Sequence, residues 1–373
     1  MGGSLGGLTT AHALLRLGCD VHVHERSPTF LDSRGAGIVL HPLSERLLLE
    51  MGLPLATFAT RVAVLRYVDS DGAVISEAPV NYRFTAWNTI YRALHERLPT
   101  HRHHLGEEVT EPPSADLVVF ADGPRSRARS RLLPGVATQY AGYVAWRGVL
   151  PESALSARSR RALGDGIVYH LRPAGHVLSY PIPGEPGDRL LNFVWYRNVS
   201  PEGLRALMTD RDGTLRDLSV PSGLVRAEPV AELRAAAAGL PPALAELVGN
   251  APDPFVQQIV DVVVPKMAFG SHCLLGDAAF VARPHAAAGT AKAASDAWAL
   301  HDALATHRDD VGAALSAWEL PQLQVGSRLV ARVRAMGEAV QFGAGWRPGD
   351  PDLRFGLTEP GDSEEEWTFP KPA

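Results

Sequence analysis

Hydrophobic positions recur at helical spacing in several parts of the chain. Near its start, Leu8, Ala11 and Leu14 share one face of a predicted helix that ends at Gly18. The same spacing, or an alanine-rich composition, predicts further helical segments at 45–51, 89–98, 229–248 and 289–341. Pro321 is expected to break or kink the last of these, because proline lacks the amide proton that a helix interior needs.

Apolar runs and apolar–polar alternation predict strands between these helices. Short apolar strands are predicted at 20–24, 117–120, 259–264 and 273–275. From about Tyr140 the pattern changes to alternating segments bounded by Pro or Gly, at 143–150, 166–171, 176–183 and 190–197. Such alternation is typical of an antiparallel sheet. The chain therefore predicts an α/β protein with an antiparallel sheet in its middle.

A glycine-rich loop precedes the first predicted helix. It reads Gly2-Gly3-Ser4-Leu5-Gly6-Gly7, and Glu25 follows the next strand. Glycines allow a tight turn and close approach of the backbone to a pyrophosphate, while the helix N-terminus faces the phosphates. An acid about 20 residues later binds ribose hydroxyl groups. The loop is therefore typical of a dinucleotide-binding fold, although Ser4 replaces its middle glycine.

The hydrophobic strand that should precede these glycines is not in the sequence, where Met1 alone stands before them. In a dinucleotide-binding fold that strand is central in the sheet and buried on both faces. Its loss would leave two neighbouring strands unpaired, at a cost of several hydrogen bonds and much buried apolar area. We therefore expect either that the true start lies upstream of Met1 or that the protein binds its nucleotide poorly.

Two later motifs could also contact a nucleotide. Asp122-Gly123 follows a predicted strand and is followed by the start of a helix that carries arginines, including Arg129. This arrangement can place a carboxylate and guanidinium groups beside a nucleotide. The alternative interpretation is a plain turn followed by a solvated basic helix. Gly276-Asp277 also follows a strand, and 283–290 then supplies proline, small residues and a helix N-terminus that favours negative charge. An ordinary strand-to-helix connection explains so many small residues poorly.

Composition narrows the function classes. The length of 373 residues suggests about two domains, and 46% hydrophobic with 21% charged residues is ordinary for a globular protein. The net charge of -5 argues against nucleic-acid binding, and no apolar run approaches the ~18 residues that span a membrane. The two cysteines suit a reducing cytoplasm. We interpret His101, His103 and His104 as a solvated loop rather than a metal site, since no further ligand completes a set.

In their order along the chain, the three motifs resemble those of the single-component (group A) FAD-dependent aromatic hydroxylases. The resemblance extends from Gly2 to about Leu357 and is strongest to the branch of 2,6-dihydroxypyridine 3-monooxygenase-like enzymes. Stretches that match this branch are 141–150, 180–184, 192–196 and 283–289. The resemblance implies a Rossmann-like FAD-binding domain formed by 1–139 and 262–342. It further implies an inserted substrate domain at 140–261 and a C-terminal tail at 343–373.

The resemblance also implies roles for individual residues. The cofactor-binding set comprises Gly2, Gly3, Ser4, Gly6 and Gly7 at the pyrophosphate, Glu25 at the ribose with Arg26 next to it in the sequence, Asp122, Arg129, Gly276 and Asp277 from the later motifs, and Pro284, Ala288 and Gly289 beside the flavin ring. His285 is the candidate general base, with a structural imidazole as the alternative. Tyr180, Trp195 and Tyr196 are candidates for the substrate pocket, although the sequence does not show which sheet face meets substrate.

The implied reaction is hydroxylation of an electron-rich aromatic or N-heteroaromatic ring. NADH or NADPH reduces FAD, O2 reacts to form a flavin C4a-hydroperoxide, and one oxygen atom passes to the ring. Two alternatives stay open: a truncated, catalytically impaired flavin-binding relative, and an NAD(P)-dependent dehydrogenase, which leaves the two later motifs without a role. A small aromatic substrate and O2 are the expected partners, and a homodimer is compatible with the sequence.

Overall fold

A computed structural model of the chain describes residues 1–29, 37–184, 188–308, 310–343 and 345–368. Residues 344 and 369–373 of the predicted tail lie outside the described residues. The helices are α1 (Leu5–Arg16), α2 (Pro42–Glu50), α3 (Leu55–Phe58), α4 (Trp87–His95), α5 (Arg127–Leu132), α6 (Ala157–Leu163), α7 (Pro201–Leu207), α8 (Ala227–Ala237), α9 (Pro242–Asn250), α10 (Gly289–Thr306) and α11 (Val311–Gln341). Of the helices in this part of the chain, none combines the length and apolar character needed to cross a membrane.

The strands form one large sheet and two small ones. They are β1 (Val23–Glu25), β2 (Gly37–Val39), β3 (Thr60–Val68), β4 (Val74–Ala86), β5 (His103–Leu105), β6 (Val118–Phe120), β7 (Gln139–Pro151), β8 (Gly166–Arg172), β9 (Gly175–Ile182), β10 (Leu190–Asn198), β11 (Ser219–Val220), β12 (Phe255–Asp261), β13 (Ala268–Phe269) and β14 (His272–Leu274). The large sheet has the order β11-β12-β7-β10-β9-β8-β3-β4-β2, with β3 and β8 parallel and its other neighbours antiparallel.

The two faces of the large sheet support separate apolar cores. Because successive side chains on a strand point to opposite faces, β10 sends Val194 and Tyr196 to one face and Phe193 and Trp195 to the other. The Tyr196 face packs against α11 and the turn before α10. The Trp195 face packs against α6, α8 and α9. The first face therefore adjoins the motif at Gly276-Asp277, and the second does not.

Two small parallel ladders lie beside the glycine-rich loop at the start of the chain. β1 pairs with β5, and β6 pairs with β14, while α1 and α10 pack against each other beside them. Within the described residues no strand lies between β1 and β6, as the sequence predicts. Met1 and Gly2 instead bridge the two ladders: the Met1 amino group donates to the Val119 carbonyl at 2.7 Å, and the Gly2 amide to the His24 carbonyl at 2.8 Å.

Most elements predicted from periodicity are confirmed. The four alternating segments are β7 to β10, and the first helix and strand are α1 and β1. Pro321, however, lies inside α11 without ending it. The helix does not break there, since Pro321 and Ala317 are both exposed and water can bond the carbonyl that loses its amide partner; a kink at Pro321 stays a prediction.

Two interpretations need correction. His103 and His104 do not lie in a solvated loop, because they form β5 and pair with β1, where the His104 ring stacks on His24 with centroids 4.7 Å apart. The strands β3 and β4 were not predicted; they join the large sheet although they precede 140–261. The alternation of apolar and polar residues at 80–85, within β4, was the available signal.

Candidate functional site

The glycine loop is held tightly between β1 and the end of β6. Gly2 has φ +99°, and a Cβ at this position would lie 2.2 Å from the Ala121 carbonyl oxygen. A Cβ at Gly7 would lie 1.8 Å from the Gly2 carbonyl oxygen. The Gly3 amide donates to Glu25 Oε2 at 2.8 Å, so the loop is joined to the acid at the end of β1. The backbone therefore takes a path that side chains would block.

The N-terminus of α1 opens onto this loop. Ser4 is the N-cap residue, but its side chain makes no capping hydrogen bond, so amides of the first turn are open to an anion. Gly6 faces elsewhere: a Cβ there would lie 3.4 Å from the Ala293 Cβ on α10. Arg26 is exposed just beyond β1. These features fit a pyrophosphate beside 2–7, with Gly6 serving helix packing.

The motif at Asp122 is tied to the motif at Asp277 by a buried arginine. Arg129 Nη1 donates to the Ala278 carbonyl at 2.9 Å, and its Nη2 to the Pro124 carbonyl at 2.6 Å. Asp122 Oδ2 accepts from the Arg127 amide at 2.9 Å, and Oδ1 is buried with no partner among the described residues. The alternative of a solvated basic helix therefore does not hold for Arg129.

Asp277 lies at the mouth of a cavity of about 230 Å³. Asp277 is exposed at the cavity, where partial loss of hydration raises its pKa to about 6, with Arg129 and Lys292 acting in the opposite direction. Below it, Asp296 accepts from the Gly276 amide at 2.9 Å and pairs with Lys292. This ion pair was not predicted from the sequence. The available signal is the four-residue spacing of Lys292 and Asp296, which places both side chains on the same face of α10.

The turn before α10 lines the same cavity. A single helical turn, Pro284–Ala286, is followed by Ala287 at φ 52° and by buried Ala288. No side chain caps α10, which begins at exposed Gly289, so its first amides are open to a ligand. Pro284, Ala288 and Gly289 all line the cavity. Small residues and open amides fit the edge of a flat, electron-accepting ring.

The large sheet contributes the opposite wall. Tyr180 and Tyr196 line the cavity, and the Tyr180 ring stacks on Phe84 with centroids 4.1 Å apart. Trp195 does not line it, because strand alternation places its side chain in the core on the other face. Its assignment to the substrate pocket therefore needs correction, whereas Tyr180 and Tyr196 lie where an aromatic substrate would meet the turn before α10.

His285 lies between this turn and the sheet and lines the cavity. Its Nε2 is 2.7 Å from the Tyr143 hydroxyl, while its buried Nδ1 has no partner in the part of the chain that the structure describes. Burial lowers its pKa well below the ordinary value, and the nearby His176 and Arg283 act in the same direction. The imidazole is therefore neutral near pH 7, with one nitrogen already engaged.

Two polar residues that line the cavity, Arg147 and His176, and a third beside it, Asn192, were missed from the sequence. Arg147 Nη2 donates to the Gly37 carbonyl at 3.0 Å, and the Gly37 amide donates to Asn192 Oδ1 at 3.1 Å. His176 lines the cavity as well, and burial lowers its pKa to about 3. A signal existed for Arg147 and Asn192, because each is a polar residue within an otherwise apolar strand.

Without FAD, Asp277→Asn is expected to stabilise the protein near neutral pH. Because the folded pKa of Asp277 is about 6, above its unfolded value, the native state favours the protonated carboxyl. The stability that this protonated carboxyl contributes is fully present below the unfolded pKa of about 3.9 and is lost as the pH rises through about 6. As the pH rises from about 4 to 7, the calorimetric melting temperature should fall more steeply for the wild type than for Asp277→Asn. Equal slopes for the two proteins would contradict the assignment.

The comparisons agree with this geometry. A family model described as "FAD binding domain-like" matches residues 140–261. The chain is 37% identical over 378 residues to a 2,6-dihydroxypyridine 3-monooxygenase of Paenarthrobacter nicotinovorans, covering 96% of this chain and 94% of that protein. It is 30% identical over 351 residues to a 3-amino-4-hydroxybenzoate 2-monooxygenase of Streptomyces platensis, covering 86% of this chain and 82% of that protein.

A solved structure extends the likeness to three dimensions. The 2,6-dihydroxypyridine-3-hydroxylase from Arthrobacter nicotinovorans superimposes with a TM-score of 0.91 at 36% identity, covering 96% of each chain. The loop at 2–7, the acid Glu25 and the turn before α10 fit FAD, which members of this family use with NAD(P)H and O2. The chain belongs to the single-component FAD-dependent aromatic hydroxylases and is an FAD-dependent monooxygenase.

Proposed function

We propose that this monooxygenase hydroxylates an N-heteroaromatic ring that carries hydroxyl groups, in the manner of the 2,6-dihydroxypyridine enzyme it resembles. The observation that supports this proposal is the shared cavity. Asp277, Pro284 and Gly289 border it on one side, and Tyr180 and Tyr196 border it on the other. A flavin at the turn before α10 would therefore meet an aromatic substrate lying against the sheet.

We assign FAD to the residues that the sequence analysis selected, apart from Gly6, which serves the packing of α1 against α10. The loop at 2–7 would hold the pyrophosphate, and Glu25 would accept from ribose hydroxyl groups while keeping its bond to the Gly3 amide. Asp277 would lie beside the pyrophosphate and ribityl chain, and the first amides of α10 would face the ring. When bound, FAD supplies electron transfer from NAD(P)H and the activation of O2.

The protein's own contribution is orientation and exclusion of water. Phe84, Tyr180 and Tyr196 give the cavity an aromatic wall that keeps the reacting ring away from bulk solvent. His285 and Arg147 place polar groups on that wall, where they can hold ring oxygen atoms. Held in one orientation, the substrate would present a single ring carbon to the flavin edge.

Within this proposal, 1–139 and 262–342 bind FAD, and 140–261 forms the substrate side of the cavity. The strands β2, β3 and β4 complete the large sheet next to that side. We also propose a cytoplasmic location, in line with the two cysteines, which are both free. A homodimer stays a prediction, and light scattering will show whether one chain or two are present in solution.

The reaction is tested by reconstituting the purified protein with FAD and supplying NADH and 2,6-dihydroxypyridine. We expect retained flavin absorbance, substrate-stimulated NADH oxidation with O2 uptake, and a product that gains one oxygen atom. Unsubstituted pyridine is the control and should leave NADH oxidation at its basal rate. Bound FAD without any oxygenated product from a panel of hydroxylated rings would contradict the proposal. Failure to retain FAD would favour the impaired relative.

A further inference from the structure

A chain of buried polar groups runs from an ion pair at the end of β12 to His285. Arg283 Nη2 is 2.8 Å from Asp261 Oδ2, and the Arg283 guanidinium carbon lies 5.7 Å from the centroid of the Tyr143 ring. The Tyr143 hydroxyl is in turn 2.7 Å from His285 Nε2. Asp261, Arg283, Tyr143 and His285 are each at most 7% exposed. Groups buried this deeply are expected to be fixed in one hydrogen-bond arrangement.

The direction of the hydrogen bonds follows from the donors available. Arg283 carries only donors, so it cannot accept the hydroxyl proton of Tyr143. Burial raises the pKa of Tyr143 strongly, although Arg283 acts in the opposite direction, so the hydroxyl stays protonated. Among the described residues, the acceptor bonded to this hydroxyl is His285 Nε2. Tyr143 therefore donates to His285.

This direction decides where the neutral imidazole carries its proton. Since Nε2 accepts from Tyr143, the proton must lie on Nδ1, the nitrogen that has no partner among the described residues. We infer that His285 presents Nδ1–H to the cavity as a hydrogen-bond donor, with Tyr143 as its positioning residue, and that the cavity binds its substrate through a ring oxyanion or carbonyl oxygen. This inference rests on the proposed function, because it concerns the substrate of that same cavity.

The inference replaces the general-base role of His285 with a different one. A base would need a lone pair on the nitrogen that faces substrate, and the Tyr143 bond gives that nitrogen a proton instead. Arg147, which lines the same cavity, adds a positive charge that favours an anionic ligand. A hydroxylated ring would therefore enter already ionised, in the form that reacts best with an electrophilic oxygen.

Gly337 on α11 lies directly against these buried polar groups. A Cβ at that position would lie 2.4 Å from the Tyr143 hydroxyl oxygen, 2.8 Å from His285 Nε2 and 3.0 Å from Arg283 Nη1. The three polar atoms therefore converge on one point, and the bare helix backbone covers it. Gly337→Ala should disturb the same hydrogen bond without removing any of its members, which makes it an independent second variant.

The tautomer can be read by NMR of the protein with ¹⁵N-labelled histidine, without any turnover. The His285 signals are assigned by their loss in His285→Gln. We expect the Nδ1–H tautomer in the wild type and a shift toward the Nε2–H tautomer in Tyr143→Phe and Gly337→Ala. Tyr140→Phe is the matched control, because that hydroxyl lies on the same strand and donates to the Val199 carbonyl at 2.9 Å. It should leave the His285 signals unchanged.

Binding of a hydroxypyridine anion supplies the second readout. Titrated above the pKa of the ring hydroxyl, it should bind about tenfold or more weakly to Tyr143→Phe than to Tyr140→Phe. An Nε2–H tautomer in the wild type, or the same tautomer in folded Tyr143→Phe and wild type, would overturn the inference. If the wild type shows Nδ1–H but oxygenates no hydroxylated ring, the proposed function fails while the tautomer assignment stands.

Discussion

Gly7→Ala is expected to weaken FAD binding by roughly 100-fold or more. The added Cβ would lie 1.8 Å from the Gly2 carbonyl oxygen, where no atom fits. Gly2 is held in place, because its amide donates to the His24 carbonyl and the neighbouring Met1 carbonyl accepts from the Ala121 amide. Overpacking of this kind costs about 1–3 kcal/mol even where neighbours can relax. Titration of the apo-protein with FAD, followed by flavin fluorescence, measures the loss.

Gly6→Ala provides a matched control one residue away on the same helix. Its Cβ would lie 3.4 Å from the Ala293 Cβ and 3.7 Å from Leu275, close to ordinary contact. In both variants alanine favours the helix by about 1 kcal/mol over glycine. A difference in FAD affinity between the two variants therefore reports on the loop at 2–7. Equal FAD affinity for Gly7→Ala and wild type would contradict the pyrophosphate assignment. An equal loss in both variants would assign the effect to packing of α1 against α10.

Local pattern was sufficient for much of this fold. The four strands β7 to β10 could be predicted because alternation is a short-range property, and the loop at 2–7 because its glycines are contiguous. The identity of the face that meets substrate could not be predicted. It depends on α11 and the turn before α10 lying against the Tyr196 side, and these segments are far from β10 in the sequence.

The polar chain behind His285 was out of reach for the same reason. Its members come from β7, the end of β12 and the turn before α10, so no spacing in the sequence connects Tyr143 with Asp261 or His285. A base could be proposed from the position of His285 beside the flavin turn. Its tautomer depends on what bonds the other nitrogen, which only the folded structure shows.

An apolar extension in front of Met1 is expected to raise the melting temperature by roughly 3–6 °C. A cleft of about 1130 Å³ lies between β1 and β6, bordered by residues 20–24, 113–119 and the side of α1. Met1 and Gly2 already pair with both ladders, so residues joined to the Met1 amino group would enter the cleft extended and parallel to its neighbours. Burial also lowers the pKa of that amino group, which an extension would replace with a neutral amide.

The size of the effect follows from opposing terms. Each buried valine or isoleucine contributes about 1.5–3 kcal/mol, and ordering a residue costs about 1–2 kcal/mol, so five residues give a net gain on the order of 2–5 kcal/mol. A glycine-serine extension of equal length is the control and should leave the melting temperature unchanged, since it buries no apolar area. Equal melting temperatures for both extensions would show that the cleft does not accept a strand. Because the Gly2 amide is bonded to the His24 carbonyl at the end of the cleft, filling the cleft should also tighten FAD binding. The difference in FAD affinity between the two extended proteins measures how far the nucleotide site depends on a filled cleft.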